Sequence, residues 1–362
     1  MNYNEKRRKT RALRIGKLTL GGTAPILIQS MTNTDTKDYP ATLSQVRALY
    51  AAGCDVVRLT VPDAAAAETI GRLKKELPDL PLVADIHFDY RAAIAAAHAG
   101  ADKIRINPGN IGDEARVRAV VEACKERNLP IRIGVNGGSL EKHILKKYGK
   151  PTAEALFESA FYHIRLLEKY DFTDIAVSIK SSDVATMIAA NRLVAAACDY
   201  PLHLGVTESG GVARGSIRSA IGVGALLADG IGDTVRVSLT ADPLEEIAAA
   251  KSILSALAIE GQSGLNIVSC PTCGRTKIDL IDLSRRFERA AGEAGLLGLP
   301  VRVALMGCVV NGPGEAREAD IGICGGVGEA LLIKKGEIVD RVPEGAVIDR
   351  LIAELLKIKE EK

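Results

Sequence analysis

Short apolar segments alternate with longer helical segments through about the first 240 residues, and this alternation repeats eight times. Each apolar segment is rich in Val, Ile and Leu, which is typical of strands buried on both faces of a parallel sheet. The predicted strands cover residues 25–31, 56–61, 82–88, 103–108, 131–137, 174–181, 202–209 and 234–240. Eight strand-then-helix units predict a TIM (β/α)8 barrel, and a doubly wound open sheet is the alternative.

The sequence changes character after the eighth unit. We predict a barrel over residues 1–259, a linker over 260–264 (Glu-Gly-Gln-Ser-Gly) and a small α+β domain over 265–362. The second domain carries four of the cysteines, a helix near 279–294 and a hairpin near 331–342. A further hairpin at 13–22 is expected to close the bottom of the barrel.

Composition excludes several classes of protein. The 362 residues are 47% hydrophobic and 25% charged, with a net charge of +2, which is ordinary for a globular protein. This balance gives no general attraction to nucleic acids or membranes, and no apolar run reaches the length of about 20 residues that a membrane span needs. Seven cysteines without a secretion signal indicate reduced thiols and a cytoplasmic enzyme.

Polar and charged residues stand near the ends of the predicted strands, where barrels of this kind keep their active sites. Arg and Lys on several separate strands are costly to bury unless they meet anions, so the set predicts a phosphate or diphosphate ligand. The alternative is that they pair with nearby acids. The residues are Arg58, Asp85, His87, Arg105, Asn107, Arg132, Asn136, Lys180, Ser181, Thr207, Glu208, Arg236 and Ser238.

Asp85 and Glu208 are the candidate acid–base groups at this end of the barrel. Of the histidines, His87 is well placed, whereas His203 begins the seventh strand and is expected to lie away from the mouth.

The cysteine pattern indicates a metal centre. The pair Cys270 and Cys273 alone fits a redox disulfide, half a zinc site or part of an iron–sulfur site. Cys308 follows a predicted strand and supplies a third thiolate, which favours an iron–sulfur cluster. Glu315 and Cys324 are then the two candidates for the fourth ligand. The alternative interpretation of Cys324 is that it is a small buried hydrophobic residue.

Six sequence segments resemble those of the bacterial 4-hydroxy-3-methylbut-2-en-1-yl diphosphate synthase family. Four lie in the predicted barrel and two surround the cysteines. They are 28–34 (Ile-Gln-Ser-Met-Thr-Asn-Thr), 105–110 (Arg-Ile-Asn-Pro-Gly-Asn), 134–139 (Gly-Val-Asn-Gly-Gly-Ser), 204–209 (Leu-Gly-Val-Thr-Glu-Ser), 269–273 (Ser-Cys-Pro-Thr-Cys) and 307–315 (Gly-Cys-Val-Val-Asn-Gly-Pro-Gly-Glu).

The resemblance implies reductive ring opening and dehydration of 2-C-methyl-D-erythritol 2,4-cyclodiphosphate in isoprenoid biosynthesis, with electrons from flavodoxin or ferredoxin. It implies a 4Fe-4S cluster on Cys270, Cys273, Cys308 and Glu315, with Glu208 and Asn311 near the reacting carbons. By the same resemblance, the diphosphate is held by Arg58, His87, Arg105, Arg132, Asn136, Lys180 and Ser238.

Chain geometry adds an expectation about assembly. A helix over 243–259 would run about 25 Å back from the barrel mouth, whereas a five-residue linker spans at most about 18 Å. The cluster domain is therefore expected to cap the barrel of a partner in a head-to-tail homodimer.

Two other functions are alternatives to the synthase function that the resemblance implies. One is an iron–sulfur redox sensor that binds a phosphorylated metabolite, and the other is a zinc-stapled barrel transferase.

Overall fold

The structure is a computed structural model that describes residues 3–259 and 264–361, so predicted linker residues 260–263 lie outside the described part of the chain. The chain divides between Leu257 and Ala258 into two compact units.

The first unit contains a parallel eight-stranded sheet behind an N-terminal helix and hairpin. The helix is α1 (Tyr3–Lys6), and the hairpin pairs β1 (Ala12–Ile15) with β2 (Leu18–Gly21). The sheet strands are β3 (Leu27–Met31), β4 (Val56–Thr60), β5 (Leu82–Asp85), β6 (Lys103–Ile106), β7 (Ile131–Asn136), β8 (Ile175–Lys180), β9 (His203–Leu204) and β10 (Thr234–Val235).

The sheet closes on itself as a barrel, which confirms the predicted fold class. The strands follow the order β8-β7-β6-β5-β4-β3-β10-β9, and a parallel bridge between Val177 and Leu202 joins the two ends. The unit's other helices are α2 (Tyr39–Ala51), α3 (Ala64–Glu76), α4 (Tyr90–Ala99), α5 (Pro108–Ile111), α6 (Glu114–Arg127), α7 (Lys142–Tyr148), α8 (Ala153–Glu168), α9 (Val184–Ala197), α10 (Val212–Ala228) and α11 (Pro243–Ala256).

Three of these helices begin at aspartate caps. The carboxylates of Asp63, Asp113 and Asp183 each accept a hydrogen bond from the backbone N–H of the third residue of α3, α6 and α9, respectively.

The N-terminal hairpin closes the bottom of the barrel, as predicted. Leu13, Ile15 and Leu20 are buried against the first inward-facing residues of the strands, including Val56 and Val83. This apolar layer leaves the other end of the barrel as the mouth.

The seventh and eighth strands are much shorter than predicted. Beyond Leu204 the backbone turns out of the sheet through the left-handed conformations of Glu208 (φ +52°) and Gly210 (φ +100°). Beyond Val235, the N–H of Leu239 donates to the Glu246 carboxylate (3.2 Å) instead of to a strand. Ser238 was therefore wrongly placed in a strand and lies in the loop that follows.

The second unit packs helices on a five-stranded mixed sheet of order β11-β12-β13-β14-β15. The strands are β11 (Asn266–Ser269), β12 (Arg302–Met306), β13 (Ile321–Gly325), β14 (Glu329–Lys334) and β15 (Glu337–Pro343). The helices are α12 (Leu280–Glu293), α13 (Gly312–Glu315) and α14 (Val347–Glu361). Strands β14 and β15 form the predicted hairpin, and α12 matches the predicted helix.

None of the helices in the described part of the chain is long and apolar enough to cross a membrane.

Candidate active site

Cationic side chains from separate strands point into the barrel above the apolar layer. The predicted residues Arg58, Arg105, Arg132 and Lys180 lie on β4, β6, β7 and β8, at positions that alternate with core residues. All four are largely buried, with Arg132 1% exposed. The strand pattern therefore brings these predicted ligands together in one interior.

Asp85 holds two of these cations in place. Its Oδ1 lies 2.9 Å from Nη1 of Arg105, and its Oδ2 lies 3.6 Å from Nη2 of Arg58. Burial raises the pKa of Asp85, but Arg58 and Arg105 outweigh burial and lower it to about 2. Asp85 therefore stays ionised at neutral pH and positions the two guanidinium groups rather than serving as a general acid.

Arg236, one of the charged residues noted near the predicted strand ends, forms a second, largely buried ion pair with Glu246, which the sequence analysis did not single out. The Arg236 Nε and Nη2 atoms each lie 3.1 Å from a Glu246 carboxylate oxygen. Ser30 donates a further hydrogen bond to Glu246 (2.8 Å). Glu246 stands on the buried face of α11, between Pro243 and Ile247, and an acid in that apolar face is the signal that could have revealed it.

The Glu246 pair leads to a first prediction with an adjacent control. Glu246→Gln should lower the free energy of unfolding by about 3 kcal/mol, because it leaves the buried Arg236 charge without its carboxylate. The kcat/KM should also fall, since the guanidinium at the mouth loses its fixed orientation. Urea unfolding followed by circular dichroism measures the first effect. Glu245→Gln, one residue away and exposed, should change neither quantity, and equal effects from both variants would contradict the assigned role.

Arg132 and Lys180 have no carboxylate partner within hydrogen-bonding distance among the described residues. Arg132 donates to the Ser178 hydroxyl (2.6 Å), while its Nε and Nη2 are buried without a hydrogen-bond partner in the described chain. Burial and the neighbouring cations lower the pKa values of both Arg132 and Lys180 well below their usual range. An anion bound here would relieve this repulsion, so the charge of the interior suits an anionic ligand.

Of the three less basic predicted ligands, His87 and Asn136 lie beside these cations, and Ser238 lies in a loop. His87 follows β5, and its Nε2 lies 3.0 Å from Nη1 of Arg105. Asn136 ends β7 directly beside Lys180 of β8. Ser238 lies in the loop after β10, where its carbonyl accepts a hydrogen bond from the Ser209 hydroxyl.

Glu208 lies in the loop after β9 and is exposed within its own unit. Its backbone adopts a left-handed conformation (φ +52°) that non-glycine residues rarely adopt without a local purpose. Glu208 therefore stands on a turn outside the strand.

In the second unit, the predicted cluster ligands surround one cavity of about 380 Å³. The lining includes Cys270, Cys273, Cys308 and Glu315, together with Asn311. The space exceeds the roughly 30 Å³ that one water molecule occupies, so it suits a multi-atom group.

Backbone N–H groups stabilise the thiolates. The N–H of Gly307 donates to the Cys270 sulfur (3.3 Å), and Thr272, between the first two cysteines, has a left-handed backbone (φ +66°). Hydrogen bonds from Arg275 lower the pKa of Cys273, and backbone N–H groups of residues 310 and 311 lower that of Cys308.

The glycine-rich turn after Cys308 is partly helical, which the sequence pattern did not predict. The N–H of Glu315 donates to the Asn311 carbonyl (3.1 Å), and this places Glu315 in the last position of α13. The Asn311 side chain does not cap this short helix and instead lines the cavity. Cys324 is buried in β13, and burial raises the pKa of its thiol to about 12.

The donor set fits an iron–sulfur cluster better than one metal ion. Nowhere in residues 3–259 and 264–361 do three His, Cys, Asp or Glu side chains converge as ligands of a single ion would. In a cluster each ligand binds a different iron, so the ligands surround a larger volume, as they do here. The thiol pKa is lowered at Cys273 and Cys308, and the Cys270 sulfur accepts a hydrogen bond. These three side chains and the Glu315 carboxylate would supply four such ligands.

The fold and these two sites define a barrel protein with a cationic interior and a second domain that carries a cavity lined by cysteines and a glutamate. The chain belongs to the GcpE family. The model described as the GcpE TIM-barrel domain matches residues 10–251, and the one described as the GcpE protein C-terminal domain matches residues 266–357.

Curated relatives match over nearly their full length. A protein of Geobacter sulfurreducens is 56% identical over 98% of this chain and 99% of its own length. One of Ruminiclostridium cellulolyticum is 54% identical over 97% of this chain and 98% of its own length. Both are named 4-hydroxy-3-methylbut-2-en-1-yl diphosphate synthase (flavodoxin).

Among solved structures, a type I 3-dehydroquinate dehydratase from Clostridium difficile has a TM-score of 0.53 and 13% identity, over 69% of this chain and 98% of its own. This likeness concerns the barrel fold alone.

Proposed function

We propose that this chain converts 2-C-methyl-D-erythritol 2,4-cyclodiphosphate into 4-hydroxy-3-methylbut-2-en-1-yl diphosphate. The reaction consumes two electrons and two protons and releases one water molecule. One observation carries the proposal: in the barrel interior, buried Arg and Lys groups outnumber the Asp85 and Glu246 carboxylates. This imbalance suits a diphosphate and leaves the redox sensor and the zinc-stapled transferase with less support, since the curated relatives are synthases.

The cations stabilise the ring-opened diphosphate more than the cyclic one. Breaking the C–O bond turns one esterified phosphate of the ring into a terminal phosphate, which carries more negative charge. Arg132 and Lys180, which have no carboxylate to satisfy them, gain most from this added charge. Stabilisation that grows as charge develops lowers the barrier rather than merely tightening substrate binding. His87, Asn136 and Ser238 complete the diphosphate site in this proposal.

Cys270, Cys273, Cys308 and Glu315 would hold a 4Fe-4S cluster, which supplies electrons one at a time and a Lewis-acidic iron. The carboxylate is a harder ligand than thiolate and is easier to displace. Of the four residues that would hold the cluster, Glu315 would therefore be the one most easily displaced.

Glu208 and Asn311 would act at the reacting carbons. Glu208 has an exposed carboxylate on a turn outside the sheet, and it would deliver the proton to the departing hydroxyl group. Asn311 leaves its helix end uncapped, so its amide is free to orient a substrate hydroxyl.

Flavodoxin is the electron donor in this proposal, following the names of the relatives, with ferredoxin as the alternative. We also place the protein in the cytoplasm, because seven unpaired cysteines suit a reducing compartment.

We further propose a head-to-tail homodimer in which each cluster domain serves the partner's barrel. Within the first unit, the later part of α11 lies at the bottom of the barrel, where Lys251 acts on Asp55 and the Asp55 carboxylate accepts from the N–H of Ile28. The chain thus leaves the barrel at the end opposite the mouth.

Hybrid dimers test this arrangement. Mixing the Cys308→Ala and Arg132→Met proteins should restore roughly one quarter of wild-type turnover, because half of the dimers are hybrids and each hybrid has one intact shared site. Anaerobic mixing and subunit exchange, verified by native mass spectrometry, precede the assay. Verified hybrids with no more turnover than either parent would show that each chain uses its own cluster.

Turnover itself tests the proposed function. Anaerobically purified protein with a low-potential reductant should convert the cyclodiphosphate into the open diphosphate, detected by phosphorus NMR. Protein that contains iron and sulfide but leaves the cyclodiphosphate unchanged would sink the proposal.

A further inference from the structure

A second polar layer lies inside the barrel, between the mouth cations and the apolar bottom. It is built from one residue on each of several strands, and TIM barrels usually fill this level with Val, Ile and Leu. The residues are Gln29 on β3, Lys103 on β6, Ser178 on β8, His203 on β9 and Thr234 on β10.

This layer is buried, and much of it is unpaired. Arg132 bonds Ser178, and His203 Nδ1 lies 2.6 Å from the Thr234 hydroxyl oxygen. His203, expected away from the mouth, is thus a barrel-interior residue. Within the described residues, both amide atoms of Gln29, the Lys103 Nζ and the His203 Nε2 have no hydrogen-bond partner.

Lys103 has no acid to balance it. It opens β6 beside Val83 of β5, and Asp85, two residues further along β5, is engaged by Arg105 and Arg58. The charged groups that act on Lys103 are Arg132 and Arg58, both cationic, and His203 faces the same cations from β9. Full burial and these cations lower the pKa of Lys103 to about 7.

We infer that Lys103 is a positioning residue that takes up a proton when the diphosphate binds. The protonated amine then adds one positive charge to the barrel interior beneath the bound diphosphate. Lys103 lies two residues before Arg105 on β6, and therefore about 7 Å closer to the bottom of the barrel than Arg105. In the substrate-free protein, the charged groups that act on Lys103 are cations. A diphosphate bound to Arg105 and Arg132 would bring negative charge close to Lys103. The ammonium form then becomes favourable, and the proton comes from solvent.

This inference rests on the proposed function for its ligand, so the first experiment uses the cyclodiphosphate and oxidised holoenzyme without reductant. Calorimetric titrations at pH 8 in buffers of different ionisation enthalpy count the protons taken up. On binding the cyclodiphosphate, the wild type should take up nearly one proton more than Lys103→Met. Above pH 7, the ratio of the wild-type affinity to the Lys103→Met affinity should fall about tenfold per pH unit. Any uptake at Lys180 or His87 is common to both proteins and cancels in the comparison.

A second experiment needs no ligand. The folded protein lowers the Lys103 pKa from its usual 10.5, so protonating the amine costs folding stability, and this cost disappears as pH rises from about 7 toward 10.5. The ratio of the unfolding equilibrium constants of wild type and Lys103→Met should therefore change by about tenfold per pH unit within that window. Lys103→Gln serves as a second neutral variant, and exposed Lys75→Met as the control.

The outcomes are distinguishable. Failure of the cyclodiphosphate to bind wild type would overturn the proposed function, while the unfolding series would still test Lys103. Equal proton uptake by wild type and both neutral variants, or unfolding ratios that do not change with pH, would overturn the role of Lys103.

Discussion

Replacing Arg132 with methionine is expected to lower kcat/KM by about 10³-fold and to stabilise the substrate-free protein. Arg132 is 1% exposed and has two guanidinium nitrogens without partners in the described residues. Losing a buried charge that binds a charged ligand costs about 4 kcal/mol in transition-state binding, which is about a thousandfold in rate.

The stabilisation follows from the same burial. Removing an uncompensated buried cation and filling its space with an apolar side chain commonly adds about 1–4 kcal/mol to the free energy of unfolding. Ser178 is not orphaned by the change, since its hydroxyl still donates to the carbonyl of Ile133 (3.2 Å). Steady-state kinetics and urea unfolding measure the two effects.

Arg118→Met is the matched control, because Arg118 lies on the exposed surface of α6. It should leave kcat/KM and stability within experimental error of wild type. If Arg132→Met destabilised the protein as it lost activity, Arg132 would be a structural residue and the anion-binding role would fail.

The second large effect concerns the thiolates. Cys308→Ala should abolish bound iron and reduce turnover at least 10³-fold, because the cavity in the second unit loses one of its three thiolates. Cys324→Ala should keep a full complement of iron and sulfide. Cys324 is a buried core residue, so its truncation should cost about 1–2 kcal/mol of stability and little activity.

Iron and sulfide analysis of anaerobically purified proteins compares the two cysteine variants directly. Wild-type iron content in Cys308→Ala, or loss of iron in Cys324→Ala with the fold intact by circular dichroism, would reverse the ligand assignment. Cys324 packs in the same small core as Met306 and Ala316. The circular dichroism spectra therefore also check whether Cys324→Ala disturbs the folding of this core.

The sequence predicts the barrel well because its strands are buried on both faces and its helices start at Asp caps such as Asp63 and Asp113. These are local signals that the tertiary structure does not override. The cations Arg58 and Arg105 were also predictable, since a charged residue in an apolar run has few places to point except into the barrel.

The misses share a physical cause, which is that tertiary contacts replace local patterns. The sequence around Glu246 predicts an ordinary helix. The role of Glu246 comes from its tertiary contact with Arg236, which the local pattern does not indicate. The strand that would contain Ser238 ends early because a side-chain carboxylate takes the backbone hydrogen bond of Leu239. The depth of Lys103 within a closed barrel depends on strand register, which no single segment encodes.

The ligand set at the metal centre is the central claim, and a Mössbauer spectrum of anaerobically reconstituted protein tests it most directly. With Cys270, Cys273, Cys308 and Glu315 as ligands, one iron should give a quadrupole doublet distinct from the other three, and adding the cyclodiphosphate should shift only that doublet. Four equivalent thiolate-bound irons, unchanged by the substrate, would contradict the assignment of Glu315 and the function built on it.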